Sequence, residues 1–155
     1  MKKSTICIAA ALFSFLTLGI LSSAQADNCA AIRNALSQLP ATGGEVVIPA
    51  GNFICDAPII LNHDNVSLRG GKNVHLRLGD NANSPLIIMG NIETPAKPVY
   101  RVQVSDLQID GNRKNQKDEC WGGECDSGGR TVIRNNGITV RGVVDGTIKN
   151  IFITG

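Results

Sequence analysis

The sequence predicts an all-β chain wound as a β-solenoid, with one capping α-helix at its N-terminal end. Three observations carry that expectation. After the first forty or so residues, apolar side chains come in short runs broken by Gly, Asn or Asp, too short and too regularly interrupted for helices. A single pattern (Asn or Asp, aliphatic, any, aliphatic, any, usually Gly) recurs along the chain. Only one segment, near the start, has helical period.

The elements are taken in chain order. Lys2 and Lys3, an uncharged apolar stretch over residues 6–21, and the small residues Ser22-Ser23-Ala24-Gln25-Ala26 form the order of a secretory signal peptide, cut after Ala26. A transmembrane anchor is the competing reading. The apolar stretch is short for a membrane span, and the small-residue site comes at once after it. Neither Cys7 nor Cys29 has a lipobox before it. Residues 27–155 are therefore the exported part.

Asp27 or Asn28 can cap a helix, and Ala30, Ile32, Ala35, Leu36 and Leu39 recur at helical spacing until Pro40 and Gly43-Gly44 stop it. Alone, so short a helix is marginal, so its apolar face must cover something. Strands are expected around Val46-Val47-Ile48, Ile59-Ile60-Leu61, Val66/Leu68, Val74/Leu76/Leu78, Leu86-Ile87-Ile88, Val102/Val104, Leu107/Ile109, Ile138/Val140, Ile148 and Ile151/Ile153.

The repeat is clearest where Asp106-Leu107-Gln108-Ile109-Asp110-Gly111 lines up with Asn150-Ile151-Phe152-Ile153-Thr154-Gly155, and Val104 then falls opposite Ile148. Asn65-Val66-Ser67-Leu68-Arg69-Gly70 is read as a third copy. Asn73-Val74-His75-Leu76 and Asn136-Gly137-Ile138-Thr139-Val140 are looser ones. Asn or Asp tolerates a left-handed corner, and the aliphatic residues after it point inward to stack on the next turn. Val46, Val66 and Leu86 also recur every 20 residues, about one turn of a three-sided solenoid. An antiparallel sandwich would show a hairpin signal between every pair of strands, and Asn136-Gly137 is the only clear one.

Charge and cysteine usage bound the function. With Lys2 and Lys3 gone from the 15 Lys and Arg, 13 remain against 13 Asp and Glu. A near-neutral, weakly aromatic surface argues against a nucleic-acid binder. Cys7 leaves with the signal, and Cys29, Cys55, Cys120 and Cys125 stay. An even count in an exported chain points to two disulfides. Three connectivities are possible, and the short loop between Cys120 and Cys125 favours that pair, leaving Cys29 with Cys55. His63 and His75 lie far from any paired-cysteine spacing, which disfavours zinc.

The helix together with Gly43-Gly44-Glu45-Val46-Val47-Ile48-Pro49-Ala50-Gly51-Asn52-Phe53 resembles the G-G-x-V-x-x-P-x-G-x-Y/F opening of the pectate lyase superfamily. Leu107-Gln108-Ile109-Asp110-Gly111-Asn112 is similar to strand ends common in that group. The resemblance spans about residues 28–155. It implies a right-handed parallel β-helix and a polysaccharide as partner, with a long groove along one face. It is specific for fold and weak for chemistry, because relatives on this fold do many different things. A Cys29 to Cys55 bond would tie the cap to the first turn.

Hydrolysis on such a fold needs an acid and a base about the glycosidic oxygen, and elimination needs a base with a cation or Ca²⁺ on the uronate. Asp110 and Asp145, each followed by Gly, and Lys149 are the candidate catalytic groups; Arg113 and Arg141 are the candidate substrate-binding bases. The competing reading makes Asp-Gly an ordinary solenoid corner and the bases solvated outward positions. The acid sets of polygalacturonases and alginate epimerases are absent. Residues 79–84 have the composition of a calcium loop without its ligand spacing, so an ordinary loop is the better reading and no resident metal is expected in this chain. His63 and His75 lie too near the cap for a catalytic pair.

The stretch over residues 112–130 breaks the strand pattern and gathers Arg113, Lys114, Lys117, Asp118 and Glu119 before Trp121, inside the Cys120 to Cys125 loop. Long loops that interrupt a solenoid usually wall its groove, where Trp121 would stack on a sugar ring. The alternative packs Trp121 against the solenoid side.

Only four or five turns fit, and no second cap comes after the last, so a fragment of a longer protein is expected, with its active site outside this chain. The functional expectation is part of a secreted or periplasmic lyase or hydrolase on acidic polysaccharide. The alternative is a non-catalytic solenoid: an adhesin, stalk or carbohydrate-binding surface protein.

Overall fold

The computed structural model describes residues 27–91, 97–117 and 137–155. The expected signal segment lies outside these residues, as do Cys120, Trp121 and Cys125.

The cap forms first. Helix α1 (Ala30–Ser37) buries Ile32 and Leu36 against the strands beyond it. The expected side-chain cap is not made: the N-cap is Cys29, with no side-chain hydrogen bond. Asp27 instead accepts the Cys29 backbone N–H at 3.1 Å and pairs with Arg33, while Asn28 turns away to Ile54 N–H at 2.6 Å and to the Asn52 carbonyl at 3.3 Å. The second attachment is covalent. Cys29 and Cys55 form a disulfide, Cα to Cα 5.0 Å, and both residues are fully buried. This is the expected pairing. Closing so long a loop removes denatured-state freedom by about 3 kcal/mol.

The rest is mostly strand: β1 (Gly44–Ile48), β2 (Gly51–Cys55), β3 (Ile59–Leu61), β4 (Val66–Gly70), β5 (Val74–Leu78), β6 (Ile87–Gly90), β7 (Val99–Tyr100), β8 (Gln103–Asp110), β9 (Ile138–Arg141), β10 (Val143–Val144) and β11 (Thr147–Thr154), with a 3₁₀ turn over Arg113–Asn115. The sequence did not reveal β2, β7 or β10 as separate strands. Every registered pairing is parallel. One sheet runs β1-β4-β8-β5-β2 with β11 beside β8; a second runs β3-β6-β9; the third pairs β7 with β10.

The first sheet curls because β8 bends within itself. Its front half pairs with β4 (Leu68 with Val104) and its rear half with β5 (Leu76 with Ile109). The bend sits at Asp106, whose φ is 60°. β11 copies the bend at Asn150, φ 52°, and tracks β8 on both sides of it, pairing Ile148 with Val104 and Ile151 with Leu107. These are the partners expected from the repeat. Alternation puts Val66, Leu68, Val74, Leu76, Leu78, Val104, Leu107 and Ile109 inside, all nearly free of solvent. Each contributes roughly 1.5–3 kcal/mol of burial. No helix among the described residues is long and apolar enough to cross a membrane.

Left-handed residues line up across the strands. Gly43, Asn65, Arg101 and Asp145, φ 92°, 57°, 56° and 59°, precede β1, β4, the β8 segment and the β11 segment. Asn73, Asp106 and Asn150 form a second line. The expected repeat is corrected here. Asn65 stacks with Arg101 and not with Asp106; the looser copy at Asn73-Val74 is the one beneath Asp106-Leu107. The 20-residue recurrence is also corrected, since Val46 pairs with Leu68, Val66 with Gly44, and Leu86 leads into β6 of another sheet. The same short motif opens corners of both lines, at Asn65 and at Asn73, Asp106 and Asn150, so local sequence does not say which corner it opens.

Gly70 shows how tightly the bend packs. A Cβ there would fall inside the backbone carbonyl of Asp106. Arg101 is the one member of the first line with neither a glycine's freedom nor a short amide or carboxylate side chain. Its left-handed backbone, which costs about 1–2 kcal/mol in an ordinary residue, is held by its Nε donating to Asn65 Oδ1 at 2.6 Å and its N–H donating to the Val144 carbonyl at 2.9 Å.

Candidate functional site

β8 delivers Asp110 to its C-terminal end, in register with Arg77 of β5 on one side and Thr154 of β11 on the other. One carboxylate oxygen of Asp110 lies 3.5 Å from Arg77 Nε, and the other accepts the Asn112 backbone N–H at 2.8 Å. The expected Asp-Gly corner is therefore built, with Asp110 clamping its own turn.

Asn112 is the hub of this corner. Its backbone is left-handed, φ 50°, and it is 6% exposed, one of the few buried polar residues described. Its Oδ1 accepts from Arg77 and from Asn115 Nδ2, each at 2.8 Å; its Nδ2 donates to the Leu78 carbonyl at 2.9 Å and to Asp80 Oδ1 at 2.7 Å. A side-chain amide has two donor hydrogens and an acceptor oxygen with two lone pairs, and all are used.

The next turn is fastened in the same way. Gln116 Nε2 donates to the Gly79 carbonyl at 2.8 Å, and its Oε1 accepts Asn83 N–H at 2.8 Å. Asn81 N–H donates to the Asn115 carbonyl at 2.9 Å, and Lys117 N–H to Asn83 Oδ1 at 3.0 Å. Two loops distant in sequence, residues 79–83 and 112–117, are thus joined into one ledge at the end of β5 and β8. The Asn112 bond to the Leu78 carbonyl is buried and those of Gln116 are partly so, which makes them costly to leave unmade. Of the loop read as calcium-like in composition, Gly79, Asp80, Asn81 and Asn83 bond into this ledge.

The candidate residues divide between places. Asp110 and Arg113 stand at the ledge, with Arg113 opening the 3₁₀ turn. Asp145 is an exposed corner residue before β11, and Arg141 ends β9. Lys149 pairs with Ser105 near the front of β11, where its charge faces Asp106. Asp145 precedes the start of β11, whereas Asp110 is opposite Thr154 near its end, so these two carboxylates do not share a site. Trp121, expected on a groove wall, falls outside the described residues.

Electrostatics outside the ledge is local. The hydrogen bond from Asn150, 2.9 Å, holds Asp106 below the usual carboxylate range, helped by the charges of Lys149 and Arg69. The Arg69 guanidinium, 3.0 Å from Glu45, lowers that carboxyl. At Asp27 burial opposes ionisation, but the hydrogen bond and charge of Arg33 outweigh it. His63 borders a separate recess of about 290 Å³ beside α1, floored by Leu36, Leu61 and Val66. His75 lies on β5 opposite Gln108, away from that recess.

Arg77 and Gln116 were not singled out by the sequence, and Asn83 only as part of the loop read as calcium-like in composition. Their partners lie more than thirty residues away, and only the Asp110-Gly111-Asn112 string signalled that a corner starts here. No protein-family model, curated protein or solved structure matches the chain.

Proposed function

We propose that this chain belongs to a right-handed parallel β-helix of an exported protein that acts on acidic polysaccharide. The observation that carries the reading is the ladder: parallel strands whose corner residues and inward aliphatics sit in register from β1 through β4 and β8 to β11. A regular stack of parallel strands presents the long, even face on which a solenoid binds an extended polymer. The buried, fully disulfide-bonded Cys29 and Cys55 accord with an oxidising compartment outside the cytoplasm.

Lyase or hydrolase chemistry is the first form of this reading. A second form, a non-catalytic carbohydrate-binding solenoid, is favoured by one specific observation: both oxygens of Asp110 are occupied by Arg77 and the Asn112 N–H, leaving it built for a corner. Incubating the purified chain with polygalacturonate and alginate separates them. Unsaturated uronides or new reducing ends indicate the enzyme, and binding without product indicates the carbohydrate-binding form. Neither binding nor product with any acidic polysaccharide removes both.

A further inference from the structure

We propose that the Cys29–Cys55 bond is a redox latch: in the reduced chain α1 lifts off the stack while the ladder behind it stays folded, and oxidation docks the cap. Among the described residues, the noncovalent hold of α1 on the stack is modest. Ile32 and Leu36 are buried, and Leu39 packs beside them. Arg33 Nη1 donates to the Ala57 carbonyl at 3.2 Å, Asp27 accepts the Asp56 N–H, and the bonds of the Asn28 side chain to Ile54 and Asn52 are exposed to water. The ion pair of Asp27 with Arg33 lies within the cap segment itself. The helix adds little of its own. It has eight residues, no side chain bonded at its N-cap, no acid in its opening turn and no base in its last. So short a helix does not persist in water without tertiary support. In contrast, β8 is held on both halves at once, by β4, β5 and β11.

The bond is placed where it controls that docking. Cys29 is the N-cap of α1, and Cys55 ends β2, the outermost strand of its sheet. Both cysteines are 0% exposed, so a reductant reaches the sulfurs only when the cap opens. Opening frees Asn28 from the outer edge of β2, where it bonds both the N–H and the carbonyl of Ile54. It also uncovers Leu61 and Val66, which floor the recess beside Leu36. An unpaired strand edge above an apolar end is a site for association with other chains. A chain made in a reducing compartment therefore keeps this end unfinished. The latch closes where a disulfide oxidant, such as glutathione disulfide or an oxidised dithiol protein, accepts two electrons and two protons from the thiols. Two S–H bonds break, one S–S bond forms between Cys29 and Cys55, and the oxidant leaves as thiols.

Cys29→Ala with Cys55→Ala in the whole chain removes the latch without burying a new polar group. Hydrogen exchange read by mass spectrometry should show protection over residues 30–37 falling by roughly a hundredfold, with little change over residues 103–110 and 147–154. Trypsin should cut after Arg33 faster to match. A second measurement keeps the latch intact. With Cys7, Cys120 and Cys125 replaced by Ala, only Cys29 and Cys55 respond to redox conditions. That chain, refolded with a dithiol reductant present, should show the open cap and the folded ladder. On addition of glutathione disulfide it should regain protection over α1 alone. Equal protection of α1 with and without the bond overturns the proposal. Loss of protection in cap and ladder together shows a single cooperative unit and overturns it as well. So does a cap that stays open once the Cys29–Cys55 bond has formed again.

Discussion

The bend inside β8 and the corner after β8 turn the same chain in opposite styles. The first uses one left-handed residue, Asp106, stacked beneath Asn150, which donates to it at 2.9 Å. Pairing with β11 continues on both sides of that bend. The second also begins with a left-handed residue, Asn112, but there the strand ends and a polar network takes over. A corner that needs only to turn the chain is served by a short side chain and close stacking. A corner at which the strand ends needs its backbone groups satisfied by side chains from elsewhere in the chain.

Breaking the first corner should cost most. Gly70→Ala drives a methyl into the Asp106 carbonyl, and because that clash is with backbone rather than a flexible side chain, a loss of about 3 kcal/mol is expected in chemical denaturation. Asn112→Ala breaks the second corner by removing the amide that bonds Arg77, Asp80 and the Leu78 carbonyl. The expected loss is on the order of 2 kcal/mol, accompanied by faster hydrogen exchange in residues 79–83 and 113–117. Equal protection in variant and wild type would show that the two loops are not joined.

Sharper still is Asn150. Glycine tolerates its left-handed backbone, and a β-branched residue does not, so Asn150→Val should lose about 1–2 kcal/mol more than Asn150→Gly. The smallest effect is with pH. Asp106 and Glu45 are held below the ordinary carboxylate range in the folded chain. Their contribution is complete above that range and is lost as pH falls through the depressed folded values, so acid is the sensitive side. Both are solvent-exposed, and the change in thermal stability from neutral pH down to about pH 5 should be slight.

Range in sequence decides which features were legible before folding. Alternation and the pairing of Leu107 with Ile151 were readable because two long copies of one motif match over many positions. The Cys29–Cys55 bond was readable because few partners existed. Asn65 was assigned to the wrong corner because so short a motif carries no label for the side it opens. β7 and β10, two residues each, carry no periodicity at all. The ledge was invisible for a third reason: its amides acquire meaning only from carbonyls and N–H groups that folding brings beside them.

The ladder requires β8 and β11 to run side by side in one direction. Paired cysteines test it, because neighbouring strands are about 4.8 Å apart, within disulfide reach. Gln103→Cys with Thr147→Cys, and separately Gln108→Cys with Phe152→Cys, should each oxidise readily to an internal crosslink in the folded protein. Gln103→Cys with Phe152→Cys should not. Ready crosslinking of that last pair, with failure of the first two, would mean opposed strands and would contradict the ladder on which the fold and the functional reading stand.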